Sequence, residues 1–229
     1  MNKKLILLLC LLTALLVFTG CEKKKEESKK EEKKVEEKIV KEEINEGEIE
    51  GYKFKVVDKE TDRVKIQMDN GDIILIVLSN SKTPITIKNF KKLVKEKYYD
   101  GLIFHRVIED FMIQTGDPTG TGAGGSDENI KGEFELNGVK NELSHTRGVV
   151  SMARRGAKVE TKETMNSASS QFFIVQKDST YLDGNYASFG KVFAGMDVVD
   201  KIAKVETDSN DKPVKEQKIK SIRFIEIVE

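Results

Sequence analysis

Cysteine, histidine and net charge are what this sequence has least of. Only Cys10 and Cys21 occur in 229 residues, and Cys10 lies inside an apolar run near the start. Once that run is removed no internal disulfide can hold the chain, so its stability has to come from a packed core. With His105 and His145 as the only histidines, and no cysteine after residue 21, a structural zinc site would lack ligands. A serine hydrolase also lacks its signature, because no Gly-x-Ser-x-Gly elbow occurs. The 39 basic and 39 acidic side chains cancel, so no bulk field points to nucleic acid or to an anionic surface. The expectation is no metal, no cofactor and no nucleic-acid partner, which leaves local features to define what the chain binds.

What is present begins with Lys3 and Lys4 ahead of an apolar run from Leu5 to Phe18, shorter than the ~20 residues of a spanning helix. Residues 1–20 therefore read as a signal peptide. The run ends in Phe18-Thr19-Gly20-Cys21, which resembles a bacterial lipoprotein signal, although Phe18 stands where leucine is usual. That resemblance implies a lipidated Cys21 as the mature N-terminus, a chain exported and anchored to the bacterial cell membrane, and a domain facing outside the cytoplasm. The alternative is an incidental thiol after an ordinary signal. Residues 21–50 are mostly Glu and Lys. So few apolar groups cannot offset the entropy of folding, and the segment reads as a solvated tether. A docking helix using Val35 and Ile39 would have little area to bury. The globular domain is read as residues 51–229.

Within that domain Tyr52–Val57, Val64–Met68 and Ile73–Leu78 read as strands, the last two joined by Asp69-Asn70-Gly71-Asp72, a hairpin signal. Ile73–Leu78 is apolar on both faces, which suits a closed or covered sheet. Thr83 as N-cap and Pro84 at the first helical position open an amphipathic helix with Ile87, Phe90, Leu93 and Val94 inward. Two strands are expected to meet near Glu109-Asp110. The glycine-crowded loop after Gly116 has no Gly-Lys-Ser/Thr ending and reads as a surface loop. Further strands are expected at Phe134–Leu136, Gly148–Met152, Gln171–Val175, Ala187–Val192 and Lys218–Val228, with a loop over Ala153–Met165 and a second helix over Gly195–Val205. The last strand slips phase at Ser221 and between Phe224 and Ile225, as a bulge would make it do. Many short strands with two helices point to a sandwich or barrel.

The candidate functional residues are apolar and aromatic groups with a few donors: Phe104, Arg106, Phe111, Met112, Gln114, Gln171, Phe173, Leu182 and Tyr186. Plain core packing would account for the hydrophobes and a buried ion pair for Arg106. His145, without a named partner in sequence, reads as a hydrogen-bonded structural residue and not a base.

Six blocks in order carry a family resemblance: Phe104-His105-Arg106-Val107-Ile108, Phe111-Met112-Ile113-Gln114, Gly116-Asp117, Ser151-Met152-Ala153, Ser170-Gln171-Phe172-Phe173-Ile174, and Leu182-Asp183-Gly184 through Phe189-Gly190. They resemble the cyclophilins, the peptidyl-prolyl cis-trans isomerases, from about Val64 to Glu229. The resemblance implies a mainly β fold, a closed eight-stranded antiparallel barrel capped by two α-helices. It implies that Arg106, with Gln114 and Phe111, carries catalysis. Phe104, His105, Met112, Ala153, Arg154, Gln171, Phe173, Leu182 and Tyr186 then line a groove for proline-containing unfolded or extended polypeptides. Tyr181 stands where many eukaryotic members have tryptophan and Tyr186 where they have histidine. Arg154 and Arg155 replace a more neutral pair, and the loop from Gly156 to Met165 is longer than usual. The expected function is isomerisation of X-Pro bonds in exported proteins by a monomer. The rival is a module that binds proline segments as a chaperone without turnover.

Overall fold

In the computed structural model, which describes residues 42–78 and 81–228, ten strands form one antiparallel sheet. The signal segment, Cys21 and the tether as far as residue 41 lie outside the described residues. The strands are β1 (Glu46–Ile49), β2 (Tyr52–Val56), β3 (Arg63–Met68), β4 (Ile73–Leu78), β5 (Arg106–Ile108), β6 (Met112–Thr115), β7 (Val149–Met152), β8 (Phe172–Val175), β9 (Ala187–Ala194) and β10 (Ile219–Val228). Their order across the sheet is β1-β2-β10-β3-β4-β9-β7-β8-β6-β5. Among the described residues the α-helices are α1 (Pro84–Lys95), a short α2 (Lys162–Met165) and α3 (Met196–Ala203).

The fold is mainly β, as expected, but the sheet is not a closed eight-stranded barrel. It has ten strands, and its end strands β1 and β5 do not pair. At one end β5 has only three residues, and its free side meets turns. Phe104 N donates to Gln217 O at 2.9 Å, Val107 N donates to Asp211 O at 2.8 Å, and Ile103 forms a single bridge with Lys218. Isolated bonds span the gap to β10 where a ladder would close a barrel. At the other end Glu46–Ile49, counted with the tether on composition, pairs with β2. β10 is long enough to serve two partners: Phe224 lies opposite Val64 of β3, while Ile225 lies opposite Val56 of β2. The phase slip between Phe224 and Ile225 is this change of partner. The slip at Ser221 is a bulge against β3.

Strand alternation sorts the apolar residues into separate clusters. Ile74, Ile76 and Leu78 of β4 face an inner core with Phe90, Leu93 and Val94 of α1 and Val198, Val199 and Ile202 of α3. Ile73 and Leu75 face the other way and pack with Phe54 and Ile225. β4 is apolar on both faces because the β1–β2 hairpin covers its outside. Phe90 anchors the inner core, with ring centroids of Tyr99, Phe172 and Phe189 at 5.4, 5.4 and 5.2 Å.

Local rules account for most boundaries. The Asn70-Gly71 turn is present, Gly71 taking φ +90°. Thr83 and Pro84 start α1 as expected, but Thr83 makes no capping hydrogen bond. The free amides of Ile85 and Thr86 donate instead to the Glu133 carboxylate, at 3.0 and 2.7 Å. Phe134–Leu136, expected as a strand, leads into a 3-10 turn over Glu135–Asn137. The expected loop over Ala153–Met165 contains α2, where Thr161 and Thr164 cap one another's backbone amides.

The chain enters the sheet through a strap over β3. Lys65 and Gln67 are fully buried there. The Lys65 ammonium donates to Ile44 O, and Ile44 N donates to Gln67 Oε1 at 2.8 Å. Arg223 ties the preceding Glu43 at 2.8 Å and Asp100 at 2.7 Å. Burial, only partly offset by Glu43, lowers the Lys65 pKa from 10.5 to about 8. Between those two values the unfolded chain binds the extra proton, so raising the pH favours the folded state. Thermal unfolding of wild type and Lys65→Met from pH 7 to 11 should therefore show wild type gaining on the variant by roughly 1–3 kcal/mol. A difference independent of pH would contradict a buried, titrating Lys65.

Candidate active site

The opposite end of the sheet carries the polar residues singled out in sequence. Pairing sets Arg106 opposite Gln114, Gln114 opposite Phe173, and Phe173 opposite Ser151, so one row crosses β5, β6, β8 and β7. Neighbours one residue away, such as Val107, Ile113 and Phe172, point into the inner core. Met112 and Phe173 share the outward face with Phe111, Leu182 and Tyr186. Asp110, at φ +61°, turns the chain between β5 and β6 and delivers Phe111 to the rim, 5.9 Å from the exposed Tyr181 ring.

These residues enclose a cavity of about 270 Å³ lined by His105, Arg106, Phe111, Met112, Gln114, Ala153, Arg154, Phe173, Leu182 and Tyr186. Two expected residues lie elsewhere. Gln171 lines an adjoining cavity of about 500 Å³. Phe104 is wholly buried in the inner core, because its position before β5 turns it inward, and it is not a groove residue. Thr121, Gly122 and Asn210 also line the first cavity, and Asp211 contacts Arg106. Asn and Asp are ordinary in turns, so nothing in their sequence context marked them.

The polar groups are held by their neighbours. Arg106 is 41% exposed, and its Nε donates to Asp211 Oδ2 at 3.4 Å. Gln114 Nε2 donates to Gln171 Oε1 at 2.8 Å, and Gln171 Nε2 donates to Gly122 O and Gly124 O at 3.0 and 2.7 Å. Gln114 thus keeps its carbonyl oxygen as an acceptor. The glycine loop is gathered on Asp117, whose carboxylate accepts from the amides of Thr119, Thr121, Gly122 and Gly124 at 2.6–3.1 Å. Gly116, at φ +93°, leads into this loop so close to β8 that a Cβ would sit 2.3 Å from Ser170 O.

Both histidines are buried and neutral in tendency. Burial lowers the His105 pKa against the opposing pull of Asp117 and Gln171. His145 has the partners that sequence did not name. Its Nδ1 is 2.7 Å from Asp183 Oδ1 and its Nε2 3.0 Å from Ser151 Oγ, with the ring stacked 6.0 Å from Phe173. Burial lowers its pKa despite Asp183. This Ser-His-Asp set is no hydrolytic triad, because Ser151 is completely buried and no carbonyl can reach its hydroxyl. It braces Phe173 from behind. Among the described residues no group of three His, Cys, Asp or Glu is placed to hold a metal ion.

The site is an apolar cleft on an antiparallel sheet, edged by the guanidinium groups of Arg106 and Arg154 and the carboxamides of Gln114 and Asn210, and open enough to receive an extended peptide. Residues 63–224 match the family described as cyclophilin type peptidyl-prolyl cis-trans isomerase/CLD. The chain is 44% identical over 157 residues to peptidyl-prolyl cis-trans isomerase ppi1 of Schizosaccharomyces pombe, covering 68% of this chain and 94% of that one. Crystal structures of a Cryptosporidium parvum cyclophilin type peptidyl-prolyl cis-trans isomerase are similar, with TM-scores of 0.62. One is 36% identical and covers 71% of this chain and 96% of its own. The other, solved in the presence of the dipeptide Ala-Pro, is 34% identical and covers 73% and 99%. This chain belongs to the cyclophilin-type peptidyl-prolyl cis-trans isomerases, and that reaction is its activity. These relatives are eukaryotic, and the family match starts at residue 63, so the likeness does not extend to the lipoprotein-like start.

Asp117 offers a test of how the groove rim is held. Burial alone would raise its pKa, but hydrogen bonds from Thr119, Gly124 and Gly122 outweigh it and bring the value from 3.8 to about 2. A depressed carboxylate stabilises the fold above its unfolded pKa, and this contribution is lost as pH falls from about 4 through about 2. Asp117→Asn should unfold at lower temperature than wild type at pH 6, with the gap closing towards pH 2. A constant gap over that range would show that the carboxylate charge does not hold the loop.

Proposed function

We propose that Arg106 is the catalytic cation of this isomerase, that Gln114 and Phe111 complete the reacting face, and that the enzyme works on exported chains from a lipid anchor at Cys21. The catalytic reading rests on one observation: Arg106 and Gln114 are paired across β5 and β6 over the apolar cavity of Phe111, Met112, Phe173 and Leu182.

Rotation about an X-Pro bond faces a barrier of ~20 kcal/mol because amide resonance has to be broken. No bond is made or cut, so no nucleophile is needed. The apolar cavity holds the proline ring while the preceding carbonyl turns. As the bond twists, the prolyl nitrogen regains a localised lone pair, and the terminal nitrogens of Arg106 can donate to it. In either planar ground state that lone pair is delocalised, so the hydrogen bond is stronger in the transition state, which is the requirement for rate enhancement. Gln114, oriented by Gln171, offers its carbonyl oxygen to a peptide N–H. The partners are proline-containing unfolded or extended segments, in keeping with the Ala-Pro dipeptide used with the Cryptosporidium relative.

The anchoring reading rests on residues 1–21 alone: the Lys3-Lys4 start, the short apolar run and Thr19-Gly20-Cys21. With a lipidated Cys21, the Glu/Lys stretch to residue 41 would serve as a tether between membrane and domain.

Two measurements check these readings. Arg106→Ala should slow isomerisation of a proline peptide about 10²–10³-fold, with peptide binding by titration changed less than about threefold. A variant as fast as wild type would remove Arg106 from the mechanism. Mass spectrometry of the mature protein from a bacterial host should find a diacylglyceryl group on an N-terminal Cys21. An unmodified chain, or one beginning elsewhere, would rule out the anchor.

A further inference from the structure

Arg154 was expected in the groove, and it does line both cavities. Its side chain, however, is only 4% exposed. The guanidinium lies between two rings, 5.1 Å from the centroid of Phe134 and 5.0 Å from that of Tyr186. Its Nε donates to Asn185 O at 3.0 Å, and its NH1 donates to Arg155 O at 3.1 Å and to Glu160 Oε2 at 2.9 Å. These bonds use three of the five N–H donors of the guanidinium and, with its burial, hold the group in place beside the two rings.

Glu160 is the far side of this clamp. It lies in the long loop between β7 and β8, and its Oε2 also accepts from Thr164 Oγ1 at 2.8 Å, which ties it to α2. On the near side, Tyr186 is a wall of the proline cavity, and its ring meets Phe173 edge-on at 5.8 Å. A continuous chain of contacts therefore runs from Glu160 through Arg154 and Tyr186 to Phe173. A guanidinium placed over both rings restrains the orientation of each through its planar contact and fixed N–H directions, which an ammonium on a flexible stem would not do.

We propose that Arg154 is a positioning residue, held by Glu160, that sets the Tyr186 wall and so couples the loop over residues 156–165 to the fit of the proline cavity. The loop thereby governs how tightly proline peptides are held without touching them. The proposal rests on the pocket reading above, in which Tyr186 faces the bound proline.

The test variant is Glu160→Gln, which keeps the loop length and removes the charge that holds the guanidinium. Steady-state isomerisation of a proline tetrapeptide should show KM three- to tenfold higher, with kcat within twofold of wild type. The ring resonances of the five tyrosines, with Tyr186 assigned through Tyr186→Phe, should move at Tyr186 and stay put elsewhere. Arg154→Lys should reproduce both changes, because lysine retains the charge but cannot stack. If Arg154→Lys folds poorly, a loop shortened by removal of residues 157–161 takes its place with the same expected outcome. A KM within 1.5-fold of wild type together with an unmoved Tyr186 resonance overturns the proposal. So does a raised KM accompanied by a lowered melting temperature and shifts at every tyrosine, which would mark a merely structural role. The resonance is read without turnover, so its failure is distinguishable from a failure of Arg106→Ala.

Discussion

Everything at the site depends on the two-residue period of a strand whose two faces are both apolar. Ile113 and Phe172 enter the inner core, and Met112 and Phe173, one residue away, enter the cleft. The same alternation places Arg106 and Gln114 in register beside Phe173, and Ser151 behind them. A slip of one residue in β6 would put Ile113 into the cleft and Gln114 into the core, exchanging pocket and core at once. The inner core therefore fixes the geometry of the site, because the residues that bury most tightly allow only one register. Phe90, in contact with Phe172 from below, belongs to the site in this sense although it never meets a substrate.

The loops around that row are held by polar contacts where the strands are held by burial. Asp117 gathers the glycine loop, Gln171 fastens it to Gln114, and the Ser151-His145-Asp183 set supports Phe173. Hydrogen bonds of this kind contribute about 0.5–1.5 kcal/mol each, far less than the buried rings, yet each removes freedom from a group that faces the cleft. An enzyme that makes no covalent bond has to obtain its rate from such pre-organised placement.

Much of this was legible in sequence where the signal was local. Asn70-Gly71 made its hairpin, Thr83-Pro84 opened α1, and the Ser221 phase slip marked a bulge, because each depends on a few neighbouring backbone angles. The ordered blocks from Phe104 to Gly190 supplied nine of the residues that line the proline cavity. What was not legible depends on distant partners. Whether the sheet closes is decided by how β5 meets the turns before β10, and β1 is a strand only because β2 offers it an edge. Phe104 sits in a block otherwise given to the groove, but the turn before β5 sends it inward. Glu133 caps a helix that begins 49 residues before it in the chain, and Asp211 reaches Arg106 across 105 residues. No periodicity encodes such pairings.

The strap at Ile44 also has a mechanical meaning. A pull on the chain ahead of Glu43 is borne first by the Arg223 ion pair and by the bonds from Lys65 and Gln67, then by the β1–β2 ladder, whose rungs open one at a time. Such a load travels along the strand order from β1 towards β10, while β5, β6 and β8 occupy the other end of the sheet. The hairpin thus lies at the end of the strand order farthest from the row from Arg106 to Phe173, and fraying that begins at β1 starts away from the site.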